Sequence, residues 1–327
     1  MKTAASCVAF VCLLLLGAGS AIAALPVADL SQPVSISGQW RFQPGDDPAW
    51  AAVDLDDSSW TDTTVPASYP QGLAGYGGML WYRLTLDLDL SRPSVSENVG
   101  ALAVNLGNIM SAYELYAGGQ RIGGVGRLPP QQQVVYDHHR AFSIPASAVD
   151  TDGRLVLALR VWRDPEAPDY FETGPYQGEF LLGNVGDLRE RMLRKALLPK
   201  FVLAVLYLVV GLYHLLIARR NPVLKEFFWF GLFTVAMAVY TFETSQSRFF
   251  VDIPYLWHKK IEFLMLYISP LLLGKTLLAV TRTPENLLTR GFNLLFLSYF
   301  LAVLLVPGDA AMQRTLASFQ YLGAFWA

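Results

Sequence analysis

From residue 24 to about residue 186, apolar and polar residues alternate in short runs separated by Gly, Pro and Asp. The segment 81–90 alternates strictly. Tyr82, Leu84, Leu86, Leu88 and Leu90 point one way, and Arg83, Thr85, Asp87 and Asp89 point the other. That is the pattern of a half-buried strand in an antiparallel sheet. Leu102, Val104 and Leu106 repeat it. Segments 112–117 and 120–123 flank Gly118-Gly119, a pair suited to the positive φ angles of a two-residue hairpin. Segment 154–162 is apolar on both faces and predicts a central strand covered on both sides. No helical period is sustained here. About eight short strands joined by Gly/Pro/Asp turns predict an all-β, two-sheet sandwich of the jelly-roll type.

Beyond residue 200 the pattern changes to long apolar runs. Residues 201–217, 227–242, 261–280 (with Pro270 as a kink) and 291–306 predict four membrane-spanning helices. The final apolar run, 316–327, gives roughly 18 Å of helix. The expectation is therefore a truncated α-helical transmembrane bundle with part of a fifth span. Ahead of the first run, Val185, Leu188, Met192 and Ala196 fall roughly on one helical face of an Arg-rich stretch. They predict an amphipathic connector able to carry movement from sandwich to bundle, with a plain solvated linker as the alternative. At the other end, Lys2, the apolar run 7–16 and Ala21-Ile22-Ala23 form a secretory signal. The expected organisation is a signal peptide at 1–23, an extracytoplasmic sandwich at 24–186, a connector at 187–200 and a multi-span domain at 201–327.

Charge sharpens that division. Hydrophobic residues make up 53% of the chain and charged residues 16%, well below the roughly 25% charged of soluble domains. Residues 25–190 hold 10 basic and 21 acidic groups and no lysine, whereas residues 191–327 hold 14 basic and 6 acidic. An acidic sandwich disfavours nucleic acid as a partner, since phosphate contacts need clustered Lys and Arg. Both cysteines, Cys7 and Cys12, lie in the leader, so the mature chain has neither disulfide nor thiolate chemistry. The leader places the sandwich outside the cytoplasmic membrane of a bacterial cell. The Lys/Arg count does not by itself fix that orientation. Arg219, Arg220, Lys225, Arg282 and Arg290 fall on the expected inner side, but more cations fall on the outer side.

Candidate chemistry is sparse. Asp54, Asp56 and Asp57 have the oxygen ligands Ca²⁺ takes, but a solvated turn with a capping Asp is the commoner use, and no metal or cofactor is expected. Trp40, Phe42, Trp60 and Trp81 read as core anchors. The segment 129–140 reads as a loop that holds Gln131, Gln132, Gln133, Tyr136, His138 and His139. Loops carry binding residues more often than core strands do. Tyr136, His138 and His139 are therefore candidate ligand contacts. Arg83 and Arg160 join them, since their forks suit hydroxyl or carboxylate partners. The alternative is that each arginine is structural, paired with a nearby Asp. Glycoside hydrolysis needs two carboxylates facing a cleft at set separations; acidic residues abound here, but no catalytic barrel follows the sandwich, so no catalytic residue is expected.

The ordered series Gly38-Gln-Trp-Arg-Phe42, Gly45-Asp-Asp-Pro-Ala-Trp50, Asp54-Leu-Asp-Asp-Ser-Ser-Trp60, Val65-Pro66 and Trp81-Tyr-Arg83 resembles the galactose-binding-like jelly roll that accompanies beta-galactosidase-type glycosidases. Gly118-Gly119 stands where relatives usually carry Asn-Gly. With the Leu182-Gly-Asn-Val-Gly-Asp187 junction and the helices behind it, the whole resembles the seven-transmembrane receptors with diverse intracellular signalling modules. That resemblance implies a sensory portion of a signal-transduction receptor. It would bind a small ligand, a carbohydrate by the module's usual class, and relay the state to a cytoplasmic histidine kinase, diguanylate cyclase or phosphatase. Membrane lipid and a second copy of the chain are its other implied partners. The competing class is a membrane-anchored carbohydrate-active enzyme or a transport subunit.

Overall fold

The computed structural model describes residues 24–67, 73, 75–166 and 173–326. The expected leader at 1–23 lies outside the described residues. Seven strands form the larger sheet: β1 (Leu25–Val27), β3 (Gly38–Pro44), β4 (Thr61–Val65), β5 (Gly78–Leu88), β7 (Tyr113–Ala117), β8 (Gln120–Val125) and β10 (Arg154–Arg163). Their order is β4-β3-β5-β10-β7-β8, with β1 parallel to the end of β5. Four strands, β2 (Val34–Ser35), β6 (Leu102–Met110), β9 (Ala141–Ser143) and β11 (Gly174–Asn184), form the second sheet in the order β2-β11-β6-β9. Every pairing except β1 with β5 is antiparallel. The strands beyond the expected eight are the short pieces β1, β2 and β9, which hold too few residues to show an alternation.

One core fills the space between the sheets. Leu84, Leu86 and Leu88 of β5 and Leu155, Leu157 and Leu159 of β10 meet Leu102, Val104 and Leu106 of β6 and Phe180 and Leu182 of β11. β10 lies between β5 and β7 and is covered on both faces, since Ala158 packs outward with Trp60 and Trp81. Gly118 and Gly119, at φ 56° and 78°, turn β7 into β8. A Cβ on Gly118 would meet Ala148 Cα at 2.5 Å, so the turn needs glycine for space as well as for angle. Trp40 is fully buried and its Nε1 donates to Ile36 O at 2.9 Å.

The passage from sheet to helix is direct. β11 ends at Asn184, whose side chain accepts from Gly186 N at 2.8 Å and caps α2 (Val185–Met192). The single turn α1 (Pro93–Ser96) lies earlier, between β5 and β6. α2 continues through a π-turn at Leu193–Leu197 into α3 (Leu198–Arg220), giving one helical stretch from Val185 to Arg220. The connector expected at 187–200 is thus the opening of this helix and not a separate element. Leu188 ties it to the sandwich by burying against Ala103 and Leu181. α4 (Lys225–Glu243), α5 (Tyr255–Thr281), α6 (Leu287–Leu305) and α7 (Asp309–Trp326) follow.

Three helical stretches, Val185–Arg220, Tyr255–Thr281 and Leu287–Leu305, are long and apolar enough to cross a membrane. α4 coincides with the expected span at 227–242 but is not among the three. Lys225, Glu226 and Glu243 sit at its ends, and it packs against both α3 and α5. Gly211 of α3 and Gly231 of α4 let the two backbones approach. A Cβ on Gly211 would lie 3.0 Å from Gly231 O, a small-residue contact of the kind that joins membrane helices. α3 instead turns Leu206, Val209 and Leu216 outward, each more than half exposed. Water-facing surfaces do not carry such a stripe, whereas acyl chains accept it.

Trp40→Ala removes a fully buried indole from the sandwich core. The expected destabilisation is about 3–5 kcal/mol, measured as a lowered unfolding midpoint of the detergent-purified chain. The Phe42→Leu change should lower it by less.

Candidate functional site at the junction of sandwich and helices

The segment between β8 and β9 leaves the sandwich at Gly126 and returns at Ala141. Arg127 and Gln133 pinch its neck, each N–H donating to the other's carbonyl at 3.0 and 2.9 Å. Val135 and Tyr136 fold back into the core. The next residues, Asp137 to Arg140, face the turn between α4 and α5 and the first turns of α5. The chain can make this loop because the neck bridge satisfies its backbone locally, leaving the tip free to dock.

Asp137 is the centre of the docking. Lys259 Nζ donates to its Oδ2 at 2.6 Å, and Tyr255 Oη to its Oδ1 at 2.8 Å. The Arg248 guanidinium pairs with the same Oδ1. Gln246 clamps the backbone, its Nε2 donating to Asp137 O at 2.7 Å and its Oε1 accepting from His139 N at 3.0 Å. Glu262 completes the cluster, accepting from Arg248 at 3.0 Å and Lys259 at 2.8 Å. Arg248 and Lys259 are buried at 1% and 3% exposure. Two cations thus face two carboxylates in a site largely closed to water. Burial works against the Asp137 carboxylate, yet the Lys259 ammonium and the Arg248 guanidinium outweigh it and hold its pKa at about 2.

Rings reinforce the charges. His138 stacks on Phe249 at 3.7 Å and 13° between planes, and Tyr136 meets Tyr255 edge-on at 5.8 Å. Lys259 Nζ lies 4.6 Å from the centre of the Tyr136 ring. Burial, helped by Arg140 and opposed by Asp137, pushes His138 down to about 4. Burial lowers His139 as well. Both imidazoles are therefore neutral at physiological pH.

Beside this contact lies a cleft of about 840 Å³ between loop and helices. Its sandwich wall carries Arg127, Gln133, His138 and Arg140, and its helical wall carries Phe249, Asp252, Tyr255 and His258. Arg127 and Arg140 are exposed, and neither forms an ion pair among the described residues. The cleft thus offers two guanidinium forks, an amide, a neutral imidazole and aromatic edges, a set suited to a small ligand rich in hydroxyl or carboxylate groups.

Of the residues singled out in the sequence, Tyr136, His138 and His139 come together at the junction, with only His138 on the cleft wall. Arg83 and Arg160 sit elsewhere, on the outer face of the larger sheet. Arg83, 1% exposed, donates to Asp57 Oδ2 at 3.0 Å and to Trp50 O. Arg160 forms a two-bond fork with Asp46 at 2.8 and 2.6 Å and reaches Glu114 at 3.0 Å. Their paired alternative is the one seen, and together they pin the segment 46–57 to the sheet. Asp56 accepts from Ser58 N at 3.0 Å, the turn role weighed for it against a metal. Asp137 gave no signal in the sequence because its partners Arg248 and Lys259 lie more than 100 residues further along the chain, and Arg127 and Arg140 gave none because the cleft wall they face is as distant.

No family model matches the chain, and no curated protein matches it. Among solved structures, it is similar to Bacteroides uniformis beta-glucuronidase at 22% identity over 46% of this chain and 17% of that one, with a TM-score of 0.36. A glycosyl hydrolase family 2 member from Bacteroides cellulosilyticus shares 20% identity over 46% of this chain and 20% of that one, with a TM-score of 0.37. Ruminococcus gnavus beta-glucuronidase shares 14% identity over 47% and 29%, with a TM-score of 0.34. The chain thus spans less than a third of each. At such scores the fold rests on the strand pairing described above.

Asp137→Asn leaves two buried cations facing Glu262 alone. Removing one partner of a buried pair costs about 3–5 kcal/mol, so the loop should undock. Hydrogen exchange should show lost protection at residues 136–140 while β5 and β10 keep theirs.

The junction should also respond to acid in two steps. His138 has a folded pKa depressed below its ordinary 6.5, so the undocked loop binds its proton first. Docking stability is full above about pH 6.5 and falls as pH drops toward about 4. Asp137, depressed from 3.8 to about 2, contributes above about pH 4 and is lost only below that. Protection at residues 136–140, taken relative to the intrinsic exchange rate at each pH, should therefore fall between about pH 7 and about pH 5. His138→Phe, which keeps the ring stack, should flatten that slope to the residue left by His139.

Proposed function

We propose that this chain is the sensory portion of a bacterial membrane signal-transduction receptor. Its jelly-roll-type sandwich lies outside the cytoplasmic membrane, and a small ligand, carbohydrate by class, occupies the junction cleft. Occupancy is relayed through the helices to a cytoplasmic effector. The observation that carries this reading is that one loop does two things. Arg127, Gln133, His138 and Arg140 line the cleft, while Asp137, between them in sequence, is gripped by Arg248 and Lys259 of the helical domain. A ligand that moves Arg140 or His138 must load the Asp137 cluster, and with it the α4–α5 turn.

The carbohydrate-active enzyme remains the competing class. Glycoside hydrolysis takes a pair of carboxylates, whereas Asp252 is the one carboxylate among the residues lining this cleft. The sandwich is acidic overall, but the cleft carries two arginines without ion-pair partners among the described residues against one aspartate. Sugar acids therefore belong in a screen beside neutral sugars.

The test is a thermal-shift and calorimetric screen of neutral sugars and sugar acids on the full chain in detergent. Arg127→Ala and Arg140→Ala should each weaken a ligand's binding about tenfold or more, as loss of charged hydrogen bonds predicts. Arg160→Ala should not weaken it, since Arg160 is committed to Asp46 and Glu114. A ligand whose affinity is unchanged in both cleft variants would move the site elsewhere.

A further inference from the structure

A second cleft, of about 760 Å³, lies at the end of the helices farthest from the sandwich. The last turn of α3, the first turn of α4 and the last turns of α5 enclose it. The opposite ends of these helices all meet the sandwich, through Lys195 with Glu179, the Gln246 clamp and Lys259 with Asp137. The volume falls within the range of about 300–1,000 Å³ typical of small-molecule sites. Its walls are mostly apolar, with Phe228, Trp229 and Leu278 among them, and its polar groups are Arg219, Lys225, Lys275, Thr283 and Glu285.

Charge there is unbalanced. Lys275 is paired with Glu285 and lies 5.7 Å from the Trp229 ring centre. Arg219 and Lys225 are exposed, and neither has an ion-pair partner among the described residues. The lining therefore carries three cations and one carboxylate, with two cations free. α3 crosses the apolar layer and ends at Arg220, so Arg219 and Lys225 stand where a bilayer's headgroups begin. A ligand that fits has an anionic head at that level and an apolar tail running along Phe228 and Leu278.

We propose that this cleft is a binding site for one anionic phospholipid. Its phosphate lies between Arg219 and Lys225, and an acyl chain lies against Trp229 and Leu278. Basic pockets between membrane helices hold anionic headgroups by this division of labour. The Lys275–Glu285 pair closes one wall and leaves the two free cations to set the preference for charge.

The test uses the full chain reconstituted in nanodiscs of equal parts phosphatidylglycerol and phosphatidylcholine, then stripped with mild detergent. Lipid retained per protein is counted by native mass spectrometry. The wild-type chain should retain one phosphatidylglycerol with about a tenfold preference over phosphatidylcholine, as two headgroup-level cations predict. Arg219→Gln with Lys225→Gln should bring that preference near unity. Ala279→Trp, which fills the apolar wall and leaves both cations in place, should abolish retention of either lipid at the site. Arg282→Gln with Arg290→Gln removes two basic groups outside the cleft and should change nothing. The proposal fails if the cleft variants keep the wild-type preference, or if the outside pair loses as much as the cleft pair. It also fails if glycerol phosphate alone displaces the bound lipid at millimolar concentration, because the tail contacts would then contribute nothing.

Discussion

Asp137 holds the two halves of this protein in one arrangement. The sandwich and the helices are joined covalently once, where β11 becomes α2, and one covalent joint leaves rotation free. The Asp137 cluster is a second point of attachment, and two points define an axis that a third contact, the His138–Phe249 stack, then locks. The chemistry is demanding. Burying Arg248 and Lys259 is unfavourable unless both find charge and hydrogen bonds, and Asp137 and Glu262 supply them from opposite sides. A buried ionic cluster adds little net stability over apolar residues of similar volume, and fixing one arrangement is its best-attested use. Here uniqueness is the useful property, because an apolar junction could slide and a charged one resists doing so.

The first attachment is built to the same end. The helix that leaves the sandwich does not pass through a loop. Asn184 caps it, Leu188 buries in the smaller sheet's flank, and Glu179 grips Arg191 at 2.7 Å and Lys195 at 2.7 Å one and two turns further on. Those hydrogen bonds hold the Glu179 carboxyl at about 2, though its exposure leaves the pairs screened and individually weak. The same pairs bear on the distribution of positive charge. Arg191, Lys195, Arg248 and Lys259 raise the Lys/Arg count on the sandwich side, but each is matched to a carboxylate. Lys200 and Lys260 donate to the backbone carbonyls of Thr244 and Leu304. Arg219 and Lys225, at the far end, have no ion-pair partner among the described residues.

Strands and their faces were legible because burial on one side of a sheet imposes a period of two. β5 could be read residue by residue, and β10 was recognisable as central because both of its faces are apolar. The Gly118-Gly119 turn was legible for a local steric reason. The signal fails where a residue's role depends on a distant partner. Arg83 and Arg160 sit at polar positions of alternating strands, and nothing in that pattern separates a ligand contact from a pin for the segment 46–57. The loop 126–140 was recognisable as a loop with functional residue types. Its docking on a turn more than 100 residues away was not, because ion pairing leaves no period in either segment. The helical character of the connector was legible from its apolar face, but its continuity with α3 was not, because the apolar pattern changes at the π-turn Leu193–Leu197 while the helix runs on.

The arrangement also constrains how any signal could pass. A ligand shifts a conformational equilibrium only by the difference in its affinity for the two states. In the junction cleft that difference is available, because the two walls come from distant parts of the chain. Arg127 and Arg140 belong to the sandwich loop, whereas Phe249, Asp252 and Tyr255 belong to the α4–α5 turn and the start of α5. A molecule touching both walls binds one relative placement better than another, which a molecule bound on the outer face of the larger sheet, around Arg83 and Arg160, could not do. Asp137 lies within three residues of His138 and Arg140 and cannot shift without dragging Lys259 at the start of α5. α5 runs from that contact to Lys275 at the far cleft. A packed helix transmits displacement along its axis better than it absorbs it. The two clefts therefore lie at opposite ends of α5, with Pro270 between them.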